Sequence, residues 1–169
     1  MLNNKTIAVV VPTFNESTQI KMVLDSMPDF VDRIIVVDDC SKDDTVSHVQ
    51  EYFDNNSSNI NIPSLFKQDI VSNPYNKADI ELRERAKKEI DFFTPSEVLN
   101  HDDENERIIL IQHKKNGGVG AARATGYKWC KDHNISCSAA MDGDGQMDPS
   151  ELESICSPVI NERVDYVKG

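Results

Sequence analysis

Two carboxylates one residue apart, Asp142 and Asp144, are the first candidates for chemistry in this chain. They stand in the run Met141-Asp142-Gly143-Asp144-Gly145-Gln146-Met147-Asp148-Pro149. Oxygen-only ligands on a turn suit a hard divalent cation such as Mg²⁺ or Mn²⁺, held jointly with substrate phosphates. The glycines let the backbone take positive φ or approach a ligand closely. An EF-hand is excluded, because its glycine position is Met147 here and Glu153 fits its last ligand position only by spacing. A second acidic cluster is Asp38-Asp39-Cys40-Ser41-Lys42-Asp43-Asp44-Thr45. Asp43 or Asp44 can start the following helix and favour its dipole, which leaves Asp39 as the member free for a site. A lone Asp-x-Asp is commonly an ordinary surface turn, so its meaning depends on the elements that hold it.

Those elements are legible. Ile7-Ala8-Val9-Val10-Val11 is a continuous apolar run of the kind found in a parallel strand covered on both faces. Pro12-Thr13-Phe14-Asn15-Glu16-Ser17 ends it, and a helix follows with Ile20, Val23, Leu24 and Met27 at helical spacing, capped by Asn15 or Ser17. Arg33-Ile34-Ile35-Val36-Val37 is a second buried strand, then a helix carries Val46, Val49 and Phe53 on one face. Ile108-Ile109-Leu110-Ile111 is a third strand, followed by His113-Lys114-Lys115-Asn116-Gly117-Gly118-Val119-Gly120 and a helix from about Val119 to Asp132. Cys137-Ser138-Ala139-Ala140 is a strand leading into the acidic turn, and Asp148 caps a short helix from Pro149 to Cys156. Val164-Asp165-Tyr166-Val167 is expected to begin another strand, whose uncovered edge would favour self-association. Strands alternating with helices indicate an α/β fold with a Rossmann-like, mostly parallel sheet flanked by helices. Ligands bind at the carboxyl ends of such strands, where both acidic clusters lie.

The interval from about 54 to 106 departs from this rhythm. Asn55-Asn56-Ser57-Ser58-Asn59 is loop-like, Pro63, Pro74 and Pro95 punctuate the segment, and 78–93 is a charged stretch with Ile80, Ala86, Ile90 and Phe93 loosely on one side, fitting a surface helix. His101 to Glu106 reads as an acidic loop. A connection this long is read as an insertion on the flank of one domain.

The totals narrow the function. With 169 residues the chain can bury one real core, and a formal net charge of −11 argues against a nucleic-acid surface. The four cysteines form no C-x-x-C pair, so they read as reduced thiols rather than a zinc site. No apolar run approaches the ~18 residues of a membrane span. The expected location is the cytoplasm, or the cytoplasmic face of a membrane for a longer protein, with membrane contact only through further regions. Gly118-Val119-Gly120 invites a dinucleotide fingerprint, but the third glycine position is Arg123 and the loop does not follow the first strand. A phosphate-binding Walker loop also fails, since no Gly-Lys-Ser/Thr follows.

Four segments in order, Val10-Val11-Pro12-Thr13-Phe14-Asn15-Glu16, Val36-Val37-Asp38-Asp39-Cys40-Ser41, Asn116-Gly117-Gly118-Val119-Gly120-Ala121-Ala122-Arg123 and Met141-Asp142-Gly143-Asp144-Gly145-Gln146, resemble glycosyltransferase family 2 on a GT-A fold. The Asp-Gly-Asp-Gly-Gln version is most similar to dolichyl- and polyprenyl-phosphate sugar synthases. The resemblance implies a nucleotide-sugar-binding half of that fold, incomplete at its C-terminus, with the acceptor-side catalytic acid beyond Gly169.

The resemblance also implies roles. A UDP- or GDP-linked sugar would be the donor, with Mg²⁺ or Mn²⁺ on Asp142 and Asp144 and a lipid phosphate as acceptor. Pro12, Phe14, Glu16, Asp39, Gly118, Asp142 and Gly143 would frame the nucleotide, with Asp39 accepting from a base N–H. Asn116 would shape the pocket wall, and Arg123 would neutralise Asp38 and Asp39 or reach phosphate. His113 and Lys114 are expected to face solvent. A sugar nucleotidyltransferase is disfavoured because Pro12 to Glu16 is not a glycine- and arginine-rich loop. The remaining alternative is a fragment that binds nucleotide without turnover.

Overall fold

The structure, a computed structural model, describes residues 2–55, 77–100 and 106–169. A five-stranded sheet has the order β3-β4-β2-β1-β5. Its strands are β1 (Ile7–Thr13), β2 (Arg33–Asp38), β3 (Ser96–Val98), β4 (Ile108–His113) and β5 (Cys137–Ala140). β1 pairs in parallel with β2 and β5, β2 in parallel with β4, and β3 antiparallel with β4. The parallel strands therefore end at one edge of the sheet, and every loop leaving a strand there meets the others.

The apolar runs become the centre of this sheet because both faces are covered. Every residue of β1 and β2 is buried. On one face Val9, Val11, Ile34, Val36 and Leu110 pack with Ile20, Val23 and Leu24 of α1 (Ile20–Asp25) and Val49 of α2 (Thr45–Asn55). On the other, Ala8, Val10, Ile35, Val37, Ile109 and Ile111 pack with Ala122, Trp129 and Cys130 of α4 (Val119–Asp132). Removing one such side chain from water is worth about 1.5–3 kcal/mol. α5 (Leu152–Ile160) closes the β5 side through Cys156 and Ile160, packed on Ile7 and Cys137.

Several local expectations change. The first helix has Gln19 at its N-cap with no side-chain cap; the Asn15 side chain accepts from Lys42 N in the β2 loop instead, and Ser17 bonds to Asp43 through its backbone N–H. The charged stretch forms α3 (Lys77–Lys88), followed by one 3₁₀ turn, Glu89–Phe92. Asn56 to Asn59, Pro63, Pro74 and His101 to Asn105 lie outside the described residues. The short, exposed β3 has no sequence signal of its own; it exists because Pro95 and Leu99 backbone groups pair with Lys114 and Leu110. Asp148 does cap the turn at Pro149, its carboxylate accepting from Ser150 N. No strand forms at Val164–Val167, where Val164 and Tyr166 are exposed. A strand-like composition needs a neighbour to pair with, and this stretch has none among the described residues. The self-association argued from that edge loses its basis.

α4 reaches the sheet closely through Gly126. A Cβ added there would stand 2.3 Å from Val10 Cγ1. Gly126→Ala is expected to destabilise the fold by about 1–3 kcal/mol, as overpacking does, and Val10→Ala in the same chain is expected to recover part of the loss. Chemical denaturation of the single and double variants checks this.

Candidate active site

The loops after β1 and β2 are sewn together by their own polar groups. Ser41 Oγ accepts from Asn15 N at 2.9 Å, Asn15 Oδ1 from Lys42 N at 2.8 Å, and Thr45 Oγ1 from Glu16 N at 2.9 Å. Asp43 accepts from Ser17 N, Thr45 N and Thr45 Oγ1. Burial alone would raise its carboxyl, but the hydrogen bonds from Thr45 and Ser17 win and hold it at about 2. Asp43 thus starts α2 as expected and also ties down the β1 loop. Asn15 and Cys40 both sit at positive φ, 59° and 64°, an uncommon conformation for non-glycine residues that these bonds over-determine.

Asp39 occupies the centre. It is 2% exposed. Its Oδ1 accepts from His113 Nδ1 at 2.7 Å and from Gly117 N at 2.8 Å, and its Oδ2 accepts from Gly118 N at 2.6 Å. His113 is buried rather than solvent-facing, with Nε2 at 2.9 Å from Thr125 Oγ1 of α4. Period-two alternation in β4 contains the missed signal: His113 falls on the face of Ile109 and Ile111, which α4 covers. Lys114 is exposed and pairs with Glu97.

The acidic turn comes up against β1 from the other side. Met141 N donates to Val10 O and Gly143 N to Pro12 O, so the pairing runs on past β5. A Cβ at Gly143 would lie 2.6 Å from Thr13 Cγ2, which is why a glycine separates the two aspartates. Asp144 Oδ1 accepts from Gln146 N at 3.0 Å. Asp142 pairs with Arg123 at 2.6 Å, each about 40% exposed (39% and 40%). The hydrogen bond to Asp142 raises the guanidinium's pKa. Arg123 therefore serves the acidic turn and not Asp38 and Asp39, contrary to the sequence expectation.

These groups line one cavity of about 180 Å³, formed by Pro12, Thr13, Phe14, Glu16, Asp39, Val119, Ala122, Asp142, Gly143 and Asp144. Phe14 is 43% exposed, so its ring is not core packing. Gly118 and Asn116 do not line the cavity: both bond to Asp39 and act through it, while Val119 and Ala122 form the wall. Thr13, Val119 and Ala122 line the cavity without having been given a role by motif reading, and His113, which motif reading placed in solvent, is buried behind Asp39. The volume suits a base with part of a ribose; pockets that enclose a drug-sized ligand run about 300–1,000 Å³.

The electrostatics favour a cation there. Burial raises the Glu16 carboxyl, and the charges of Asp144, Asp43 and Asp142 raise it further. Among the described residues no three His, Cys, Asp or Glu side chains converge into a complete metal cage. Two carboxylates on a turn fit the incomplete set that Mg²⁺ uses when substrate phosphates supply the rest.

A mostly parallel sheet with an acid-lined cavity at its strand ends defines the GT-A class of nucleotide-sugar enzymes. The chain belongs to Glycosyl transferase family 2, whose model matches residues 8–68 and 93–169. The interval between the two matches contains α3 and the 3₁₀ turn. The UDP-N-acetylglucosamine–dolichyl-phosphate N-acetylglucosaminyltransferase of Methanococcus voltae is 27% identical over 168 residues, 98% of this chain and 52% of that protein. The chain thus spans about half the length of this relative. The solved structure of S. aureus TarS 1–349 gives a TM-score of 0.50 at 20% identity, covering 93% of this chain and 32% of that one. The same protein in complex with UDP gives 0.51 at 18% identity, covering 94% and 33%. These likenesses show the fold.

Glu16 yields a pH prediction. Its folded pKa is raised, so its contribution to stability is fully present below its unfolded value, about 4.3, and is lost as pH rises through the folded value. Glu16→Gln is expected to raise the melting temperature at pH 7 and to leave it unchanged at pH 3. The gain stays below about 1 kcal/mol because the group is largely solvated. Thermal melts of both chains at the two pH values check the sign.

Proposed function

We propose that this chain is the donor-binding half of an inverting glycosyltransferase that uses a UDP-linked sugar with Mg²⁺ or Mn²⁺, and that the longer protein transfers the sugar to a polyprenyl phosphate. The observation that carries the reading is the single cavity joining Asp39, Phe14 and Glu16 to Asp142 and Asp144. The Methanococcus relative, named for a UDP-sugar donor and a dolichyl-phosphate acceptor, supports the choice of uracil and of lipid phosphate.

In this reading Phe14 and Pro12 face the base and Asp39 accepts from its N–H. Asp142 and Asp144 would hold the cation, whose chemistry there would be to neutralise charge on the diphosphate. An acceptor oxygen attacks the anomeric carbon while its bond to the β-phosphate breaks, so the configuration inverts and UDP leaves. An acceptor phosphate is already anionic and needs little general-base help. Arg123 holds Asp142 in place before the ligand arrives. Without a cation, the donor's two phosphates would meet Glu16, Asp142 and Asp144 against one guanidinium, and like charges at such close range repel.

A second reading is favoured by the chain's spanning 52% of its relative: residues 1–169 bind nucleotide without transferring sugar. Calorimetric titration with UDP is expected to give binding that requires Mn²⁺, with at least about tenfold weakening in Asp144→Ala. No sugar transfer to polyprenyl phosphate is expected from residues 1–169 alone. Metal-independent UDP binding, or full affinity in Asp144→Ala, would refute the donor-site assignment.

A further inference from the structure

We infer that His113 is a positioning residue for donor recognition: it fixes the Asp39 carboxylate so that one acceptor position faces the cavity, which makes the site select a base with a ring N–H at N3 over one with a lone pair there. This rests on the reading of Asp39 as the group that meets the base.

The argument is one of hydrogen-bond accounting. An ionised carboxylate offers about four acceptor positions and no donor. Three of those on Asp39 are taken by the chain: His113 Nδ1 and Gly117 N on Oδ1, and Gly118 N on Oδ2. The position left belongs to Oδ2, and Asp39 is among the residues that line the cavity. Since the carboxylate is acceptor-only, Nδ1 of His113 carries the hydrogen. In the neutral ring Nε2 is then the acceptor, and Thr125 Oγ1–H donates to it. Thr125 is 8% exposed and His113 1%, so the imidazole is pinned between α4 and Asp39 without access to water.

The two backbone donors, Gly117 and Gly118, come from one segment, the loop entering α4, where Gly118 has φ of +85°. His113 stands at the end of β4, in register beside β2. It is the one donor to Asp39 that is built on the sheet, and side chains on strands hold geometry better than those on loops. Without it, the plane of the carboxylate would follow the loop.

The consequence is discrimination between bases of equal size. Uracil presents N3–H, which the open position on Oδ2 accepts. Cytosine presents a lone pair at N3, which a carboxylate repels. UDP and CDP carry the same ribose and diphosphate, so their affinity ratio isolates this contact from the metal and the phosphates.

The test is calorimetric titration of UDP and CDP, each with saturating Mn²⁺, into the 169-residue chain and three variants. His113→Asn places an amide donor near the Nδ1 position and keeps the bond to Asp39. His113→Gln places its donor near the Nε2 position, toward Thr125, and loses that bond. Asp39→Asn tests the underlying reading. Circular dichroism melts give the folded fraction of each. The expected result is that His113→Gln weakens UDP roughly tenfold with little change for CDP, as losing a bond to a charged group predicts, while His113→Asn keeps the UDP-to-CDP ratio within about threefold of the parent. Equal weakening of both nucleotides in His113→Gln, or an unchanged ratio, with Asp39→Asn still lowering the ratio, would overturn the role of His113 alone. An Asp39→Asn chain with the parent ratio would overturn the base reading and this inference together.

Discussion

A buried carboxylate without donors is among the most costly groups a fold can hold, and this molecule buries two in succession, Asp38 and Asp39, of which Asp39 has donors on both oxygens. Desolvating an ion costs several kcal/mol unless hydrogen bonds replace its water. The bonds that offset the cost come from the end of β4 and from the loop that enters α4. Asp39 N also donates to Thr13 O, which links the same residue to β1. One side chain thus decides where the β4–α4 loop closes and where α4 begins. Val119 and Ala122 become cavity wall as a result.

The opposite wall is set by sterics. The turn bearing Asp142 and Asp144 lies against β1 because Gly143 has no Cβ to strike Thr13. Carboxylates from three loops then share one cleft, and burial first, with the charges of Asp144, Asp43 and Asp142 after it, raises the pKa of Glu16. Arg123 offsets part of that charge at Asp142. In the proposed reading, a cation bound together with a diphosphate would complete this charge distribution.

The strands and the acidic turn were legible because parallel strands covered on both faces read as unbroken apolar runs, and because glycine and aspartate punctuate their ends. β1, β2, β4, β5 and α4 all fall where those runs and helical spacing place them. What the residues did not disclose depends on partners distant in sequence. Arg123 lies closer in the chain to Asp142 than to Asp39, yet neither separation tells which carboxylate it meets. Asn15 has the chemistry of a helix cap, but its side chain accepts from Lys42 N in the β2 loop, and Ser17 is held there through its backbone N–H. β3 exists only through its pairing with β4. His113 was readable from alternation in β4, and the polar, lysine-containing run that follows it concealed this. Val164-Asp165-Tyr166-Val167 has the composition of a strand and no neighbour that would make it one.

The central claim is that one cavity holds base and cation together, at Asp39 and at Asp142 and Asp144. Crystals of the chain grown with UDP and Mn²⁺, with the anomalous signal of manganese recorded, test it most directly. The account predicts a manganese peak at the carboxylates of Asp142 and Asp144, with the uracil N3–H on Asp39 Oδ2. Manganese bound elsewhere, or a uracil ring out of reach of Asp39, would contradict it.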